Sequence, residues 1–183
     1  MKFDTPLKDI LSKTNFENPP AGPYVLRCLD AKETVSKKGN AMIEFSFDIA
    51  EGPFLGAYKD YPIKYYLVHK KSNYGIEKGI LKSFQKSNPE FIKEEALEGN
   101  EFDESLLIGC KIGSLLREEE YMSKKGQVRS NLKILFLTSL GSLKEKNFQA
   151  PEKLTLEDQL NFKNKQNESF IEGPVKDEVE IDL

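Results

Sequence analysis

Five of the seven tyrosines in the chain lie between residues 58 and 74, together with four lysines and the only histidine. Aromatic rings can stack on unpaired bases and lysines can follow a phosphate backbone, so this mixture is typical of a surface that holds single-stranded nucleic acid. It is equally compatible with a half-buried strand whose inward rings belong to a core. The surrounding elements must decide between these two interpretations.

The composition predicts a cytoplasmic protein with one globular domain. The 183 residues are 38% hydrophobic and 31% charged, no apolar run reaches the ~20 residues that cross a bilayer, and the first residues carry no export signal. We therefore expect no membrane association. Cys28 and Cys110 fall in apolar runs and are expected to be reduced core thiols.

Strand patterns alternate with turn signals along most of the chain. Residues 23–35, 41–49 and about 58–69 indicate three strands, residues 75–87 an amphipathic helix that ends at Asn88-Pro89, and residues 106–122 and 126–140 two more strands. A further helix is predicted over about 154–163. The short sequence Ser-Lys-Lys-Gly occurs at 36–39 and again at 123–126, in the first and last predicted hairpins.

This order favours a mainly β (β+α) protein with a five-stranded OB-fold-like barrel, a helix between strands 3 and 4, a C-terminal helix and a flexible acidic tail. OB-folds bind oligonucleotides or oligosaccharides on strands 2 and 3 and on the loops between strands 1 and 2 and between strands 4 and 5. The two Ser-Lys-Lys-Gly sequences, called the lysine tips below, fall in those two loops. Lysine and glycine are, however, also common at ordinary hairpin tips. The predicted divisions are an N-terminal extension (1–18), the OB-fold-like domain (19–140), a linker with a helix (141–163) and the tail (164–183).

If the third strand is regular, Ile63 and Leu67 mark its core side. Tyr61 and Tyr65 then pack inward, and Tyr58 and Tyr66 are the exposed rings, unless a bulge at Pro62 reverses this parity. The outward Glu44 and Asp48 of the second strand would repel phosphate and keep the affinity modest. The predicted nucleic-acid contacts are Lys37, Lys38, Tyr58, Lys59, Lys64, Tyr66, Lys70, Lys124, Lys125 and Arg129.

Nothing in the sequence favours an enzyme or a bound cofactor or metal. One histidine, His69, cannot build a common metal site or a Ser-His-Asp triad, and the chain has no phosphate-cradling or dinucleotide-binding glycine motif. The acids Glu118, Glu119 and Glu120 are interpreted as the solvated end of a strand, with a metal-dependent nuclease as the alternative.

The chain resembles a phage-encoded family of OB-fold single-stranded-DNA-binding proteins, often described only as a domain of unknown function in phages of Gram-positive bacteria. The resemblance covers about residues 19–138. It rests on the residues at 21–24, the tip at 36–40, Glu51-Gly52 with Gly56, and, more weakly, on residues 107–111 and Glu120-Tyr121. It implies a protein that acts in phage DNA replication or recombination, in the cytoplasm of the bacterial host.

The C-terminus is the acidic part of the chain. Residues 172–183 hold five acids and one lysine, so that a net charge of −3 becomes +1 for residues 1–171. The end is similar to the tails by which bacterial single-strand-binding proteins recruit replication and repair enzymes, but it lacks their proline-phenylalanine ending. A solubilising role is the equal alternative. The predicted partner-binding residues are Asp177, Glu178, Glu180, Ile181, Asp182 and Leu183.

The leading hypothesis is therefore a non-enzymatic protein that binds single-stranded DNA without sequence specificity, by base stacking on tyrosine and phosphate contacts from lysine. The alternative is a protein-binding module, such as a phage factor that inhibits a host defence complex or recruits a replication partner. The sequence leaves open whether the chain forms a homo-oligomer and whether it prefers DNA or RNA.

Overall fold

The computed structural model describes residues 19–99 and 101–171, with side chains as far as Asn164. The predicted extension 1–18 and the partner-binding residues of the tail, Asp177 to Leu183, lie outside the described residues. The described elements are β1 (Gly22–Val35), β2 (Ala41–Ile49), β3 (Ile63–Val68), α1 (Tyr74–Ser87), β4 (Lys111–Met122), β5 (Val128–Thr138), α2 (Leu140–Glu145) and α3 (Leu156–Ile171). No helix in this part of the chain has the length and apolar character needed to cross a membrane.

The strands form one antiparallel sheet in the order β3-β2-β1-β4-β5. The mainly β architecture and the helix between β3 and β4 are confirmed. The sheet is open, however, because β3 and β5 are its two edges and do not pair, although their Cα atoms approach within 8 Å. The predicted OB-fold-like barrel is therefore not confirmed. β3 spans only six residues, which leaves little backbone to pair with β5.

The long strand β1 joins the two halves of the sheet. Its first residues pair with β4, from Gly22 opposite Leu116, and its later residues pair with β2. A register shift between Cys28 and Asp30 marks a bulge at the change of partner. Bulges bend a strand and increase its twist, so β1 can serve both neighbours in a curved sheet.

The core lies between the inner side of this sheet and α1. The rings of Phe45, Phe47 and Phe84 are stacked with centroids 5.7 to 6.4 Å apart, and all three side chains are fully buried. The helical periodicity of residues 75–87 is confirmed, with Ile80 and Phe84 buried, whereas Ile76 is mostly exposed. Cys28 and Cys110 are free and buried as expected, and burial raises the pKa of Cys28 to about 12.

The C-terminal part departs from the sequence-based prediction. Simple alternation places Val128, Leu132, Ile134 and Phe136 on one face of β5, but a bulge opposite Leu115 and Leu116 interrupts the alternation. Leu137 therefore points inward, and Phe136 packs against Phe148, with ring centroids 5.2 Å apart. The short helix α2 was not predicted. The helix α3 continues to Ile171, past the predicted start of the flexible tail at residue 164.

Candidate nucleic-acid interface

The two lysine tips have the same backbone geometry. In the first, Ser36 N donates to Asn40 O at 2.8 Å, Gly39 N to Ser36 O at 2.9 Å and Asn40 N to Ser36 Oγ at 3.0 Å. In the second, the corresponding bonds of Ser123, Gly126 and Gln127 have the same three lengths. Gly39 and Gly126 have φ of +80° and +73°, which favours glycine. The two Ser-Lys-Lys-Gly segments therefore form the same turn.

Both tips present their lysines to solvent. Lys37, Lys38, Lys124 and Lys125 are all exposed. The first tip follows the Val35 end of β1, whereas the second follows β4 beyond Leu116, which pairs with Gly22 at the other end of β1. In the register of the sheet, the two tips therefore lie beyond opposite ends of β1.

Lys64 and Tyr66 lie on the outer side of β3, as the alternation predicts. Lys64 Nζ donates to Glu44 Oε1 at 2.8 Å and to Ser46 Oγ at 2.7 Å, and Lys32 approaches the same Glu44 oxygen at 3.7 Å. The hydrogen bond from Lys64, reinforced by Lys32, holds the pKa of Glu44 below its usual range. The two lysines therefore offset the repulsion expected from Glu44, and Tyr66 beside them is 50% exposed.

The predicted exposure of Tyr58 is wrong, and so is the predicted burial of Tyr61. The residues before Ile63 form turns instead of strand, so the period-two pattern does not extend back to them. Tyr58 is buried, with its pKa raised to about 12 by desolvation, while Tyr61 is 84% exposed. Tyr65 packs against the core as expected.

A buried carboxylate fixes this turn segment. Asp48 Oδ1 accepts hydrogen bonds at 2.8 Å from the backbone amides of Ile49 and Tyr58. Asp48 is consequently buried, which corrects the expectation that it faces phosphate. Lys59 follows in the exposed turn, and Lys70 is exposed just after β3.

A basic and aromatic surface on the outer side of β4 and β5 was only partly predicted. Tyr121 pairs with Arg129, and Arg117 pairs with Lys133. Glu119 lies between them on the same side and forms an ion pair with Arg117. Tyr121 is 41% exposed, and Arg129 and Lys133 are exposed. Of the basic and aromatic residues, only Arg129 was singled out from the sequence. The alternation of Arg129, Asn131 and Lys133 with Val128 and Leu132 was the signal for the rest.

Glu118 and Glu120 of the acidic cluster hold the segment before α3. Lys153 Nζ lies 3.2 Å from Glu118 Oε1 and 2.9 Å from Glu120 Oε1. Leu154 pairs with this part of β4 as a short parallel bridge, donating to Glu118 O at 2.9 Å and accepting from Glu120 N at 2.9 Å. Hydrogen bonds from Ser130 and Lys153 lower the pKa of Glu118, and Lys153 lowers that of Glu120. These carboxylates are therefore engaged in packing the C-terminal segment.

His69 packs against Tyr74 in a tilted arrangement, with ring centroids 5.0 Å apart, and its Nδ1 lies 2.9 Å from Glu77 Oε2. Across residues 19–99 and 101–171, no group of three or more His, Cys, Asp or Glu side chains has the arrangement of a metal site.

Comparison of the sequence with protein-family models gave no match, and comparison with curated proteins gave none either.

Proposed function

We propose that the chain is a non-enzymatic, single-stranded-DNA-binding protein built on an OB-fold-like domain. The observation that carries the proposal is the pair of geometrically equivalent tips, each with two exposed lysines, on the β1–β2 and β4–β5 connections of a five-stranded sheet. In OB-folds these two loops flank the surface of strands 2 and 3 that binds oligonucleotides. The open β3–β5 edge is compatible with this fold, which is itself a partly open barrel.

The proposed interface combines phosphate contacts with a few exposed rings. Tyr66 and Tyr121 supply stacking surfaces, and the exposed lysines and arginine supply charge. Tyr58 leaves the predicted set because it is buried. The interface then comprises Lys37, Lys38, Lys59, Lys64, Tyr66, Lys70, Tyr121, Lys124, Lys125, Arg129 and Lys133.

Acidic side chains on the outer side of the sheet limit the affinity for DNA. Asp30 and Glu44 lie among Lys32 and Lys64, so the β1–β3 surface is close to neutral. The tips and the β4–β5 surface therefore supply most of the positive charge. The resemblance to the phage family supports a role in phage DNA replication or recombination, with the acidic tail as the contact for partner proteins.

The test is fluorescence anisotropy of labelled oligo-dT with the full chain, beside a duplex of equal length, over a range of salt. Each phosphate contact on a single strand contributes about −0.7 to the slope of log K against log salt. We expect salt-dependent binding to oligo-dT and much weaker binding to the duplex. Alanine at Lys37 and Lys38, or at Lys124 and Lys125, is expected to reduce the slope by about 1.4 in each case.

A matched control replaces Lys82 and Lys86, two exposed lysines on α1, by alanine. This variant has the same net charge as the tip variants, but its slope of log K against log salt is expected to equal that of the unchanged chain. Equal loss in all three variants would mean that binding responds only to net charge. No binding of oligo-dT by the full chain would refute the proposal.

A further inference from the structure

An apolar groove lies between the end of α1 and the start of β4, on the connection that joins them. It encloses about 330 Å³ and is lined by Phe91, Ser105, Leu106, Ile108, Gly109 and Cys110. Phe91 is 68% exposed, Ile108 48% and Leu106 40%. Large apolar side chains gathered around one concavity mark an interaction site more often than scattered ones do.

The exposure of these side chains follows from the packing of their neighbours. Ile92 and Leu107 are fully buried, so the core positions of this connection are already filled and the adjacent Phe91, Leu106 and Ile108 remain outside. None of the three is needed to close the core described above.

The backbone around the groove is well supported. Gly109 N donates to Cys28 O at 2.7 Å and Cys28 N donates to Cys110 O at 2.9 Å, which ties the groove to β1. Asp103 caps the preceding turn by accepting from Ser105 N at 3.0 Å and Ser105 Oγ at 2.6 Å. A groove held in this way is preformed, which lowers the ordering cost of binding.

The connection is strongly acidic. Residues 89–110 contain seven acids and one lysine, a net charge of −6. Glu90 is close enough to Cys110 to raise the pKa of its thiol, after the larger effect of burial. Glu104 lies beside Glu33 and Asp103, and desolvation together with these carboxylates raises its pKa. The acids would repel a phosphate backbone, so the groove does not belong to the proposed DNA surface.

We propose that this groove docks a partner protein through a segment that places a bulky apolar side chain next to lysine or arginine. The apolar lining selects the bulky side chain, and the acidic surroundings select the basic neighbours. The proposal does not depend on DNA binding.

The probe is a phage-displayed library of random dodecapeptides, selected on the immobilised full chain. Enriched peptides are then synthesised with a fluorescent label and titrated by anisotropy against the full chain and two variants. Ile108→Asn alters the groove, and Leu55→Asn alters an apolar side chain that is 65% exposed in the turn segment before β3. Neither substitution changes the net charge, and neither residue is in the core.

We expect enriched peptides with net positive charge and at least one bulky apolar residue. Their binding should weaken about tenfold or more in Ile108→Asn and less than twofold in Leu55→Asn, and Glu90→Gln with Glu104→Gln should weaken it about threefold at low salt. Phe91→Ser provides a second groove variant if Ile108→Asn lowers the melting temperature. Oligo-dT binding should be unchanged in Ile108→Asn, Phe91→Ser and Leu55→Asn, which separates this proposal from the previous one.

Three results would overturn the proposal. The first is a selection in which no peptide depends on Ile108 or Phe91. The second is a set of groove-dependent peptides that are neutral or acidic. The third is self-association of the full chain, detected by light scattering, that Ile108→Asn abolishes, since a second copy would then be the occupant.

Discussion

The side-chain amide of Asn88 is hydrogen bonded to both backbone groups of Lys111. Asn88 Oδ1 accepts from Lys111 N at 2.9 Å, and Nδ2 donates to Lys111 O at 2.8 Å. The same Nδ2 donates to Phe84 O at 2.8 Å in the last turn of α1. One buried side chain thus joins the end of α1 to the first residue of β4 and closes the connection that carries the apolar groove.

Replacing Asn88 by alanine should destabilise the fold. The substitution leaves the backbone N–H and C=O of Lys111 without this partner, and an unsatisfied buried group costs about 1–3 kcal/mol. The carbonyl of Phe84 still accepts from the backbone amide of residue 88. We expect the free energy of unfolding in urea to fall by about 2–4 kcal/mol. Asn161→Ala, at an exposed position of α3, is the control. A loss in Asn88→Ala no larger than in the control would contradict the prediction.

Gly113 is required by the packing of α2 on the outer side of β4. A Cβ at this position would lie 3.0 Å from Leu143 Cβ and 3.1 Å from Thr138 O. Gly113→Ala should therefore cost about 1–3 kcal/mol by overpacking, measured by thermal or urea unfolding. Gly79→Ala meets nothing within 4 Å in α1 and should instead stabilise by about 0.5–1 kcal/mol. A neutral Gly113→Ala would show that α2 shifts freely.

Alanine substitutions at three tyrosines should separate effects on stability from effects on DNA binding. Tyr66→Ala should weaken oligo-dT binding by about 1–3 kcal/mol, the range for one stacked base, with an unchanged melting temperature. Tyr58→Ala should lower the free energy of unfolding by about 3–5 kcal/mol because it empties a buried aromatic site. Tyr61→Ala, in the exposed turn, is the control and should change neither quantity. Full affinity in Tyr66→Ala would remove this ring from the interface.

Attachment of the segment at Leu154 to β4 should weaken in acid. The pKa values of Glu118 and Glu120 are lowered from 4.5, so their stabilising contribution is complete above about pH 4.5 and is lost as the pH falls through the lowered values. We expect the hydrogen-exchange protection of the Leu154 amide to decrease in that acid range.

Lys153→Ala is the matched test of this pH dependence. It removes the cation that bridges Glu118 and Glu120, so protection at Leu154 should already be lower near neutral pH and should vary less with acidification. Lys163→Ala, at an exposed position of α3, should behave like the unchanged chain. Constant protection at Leu154 throughout the acid range would show that backbone pairing alone holds the segment.

Local sequence determined the elements whose stability depends on neighbours in the chain. The turns at 36–40 and 123–127 need only a serine, a glycine at positive φ and their own hydrogen bonds, and α1 follows from its apolar periodicity and from Asn88-Pro89. For this reason the order of strands and helix along the chain and the exposure of the four tip lysines could be predicted.

Tertiary structure decided the features that depend on residues far apart in the chain. The carboxylate of Asp48 accepts a hydrogen bond from the backbone amide of Tyr58, ten positions later, and the predicted start of β3 is a turn. Tyr58 is therefore buried and Tyr61 exposed, the reverse of the prediction. Lys153 likewise gives Glu118 and Glu120 a packing role that no pattern around residue 120 could indicate. Period-two reasoning assumes an unbroken strand. A hydrogen bond from the backbone to a distant side chain, or a bulge such as that in β5, breaks this assumption without a signal in the local sequence.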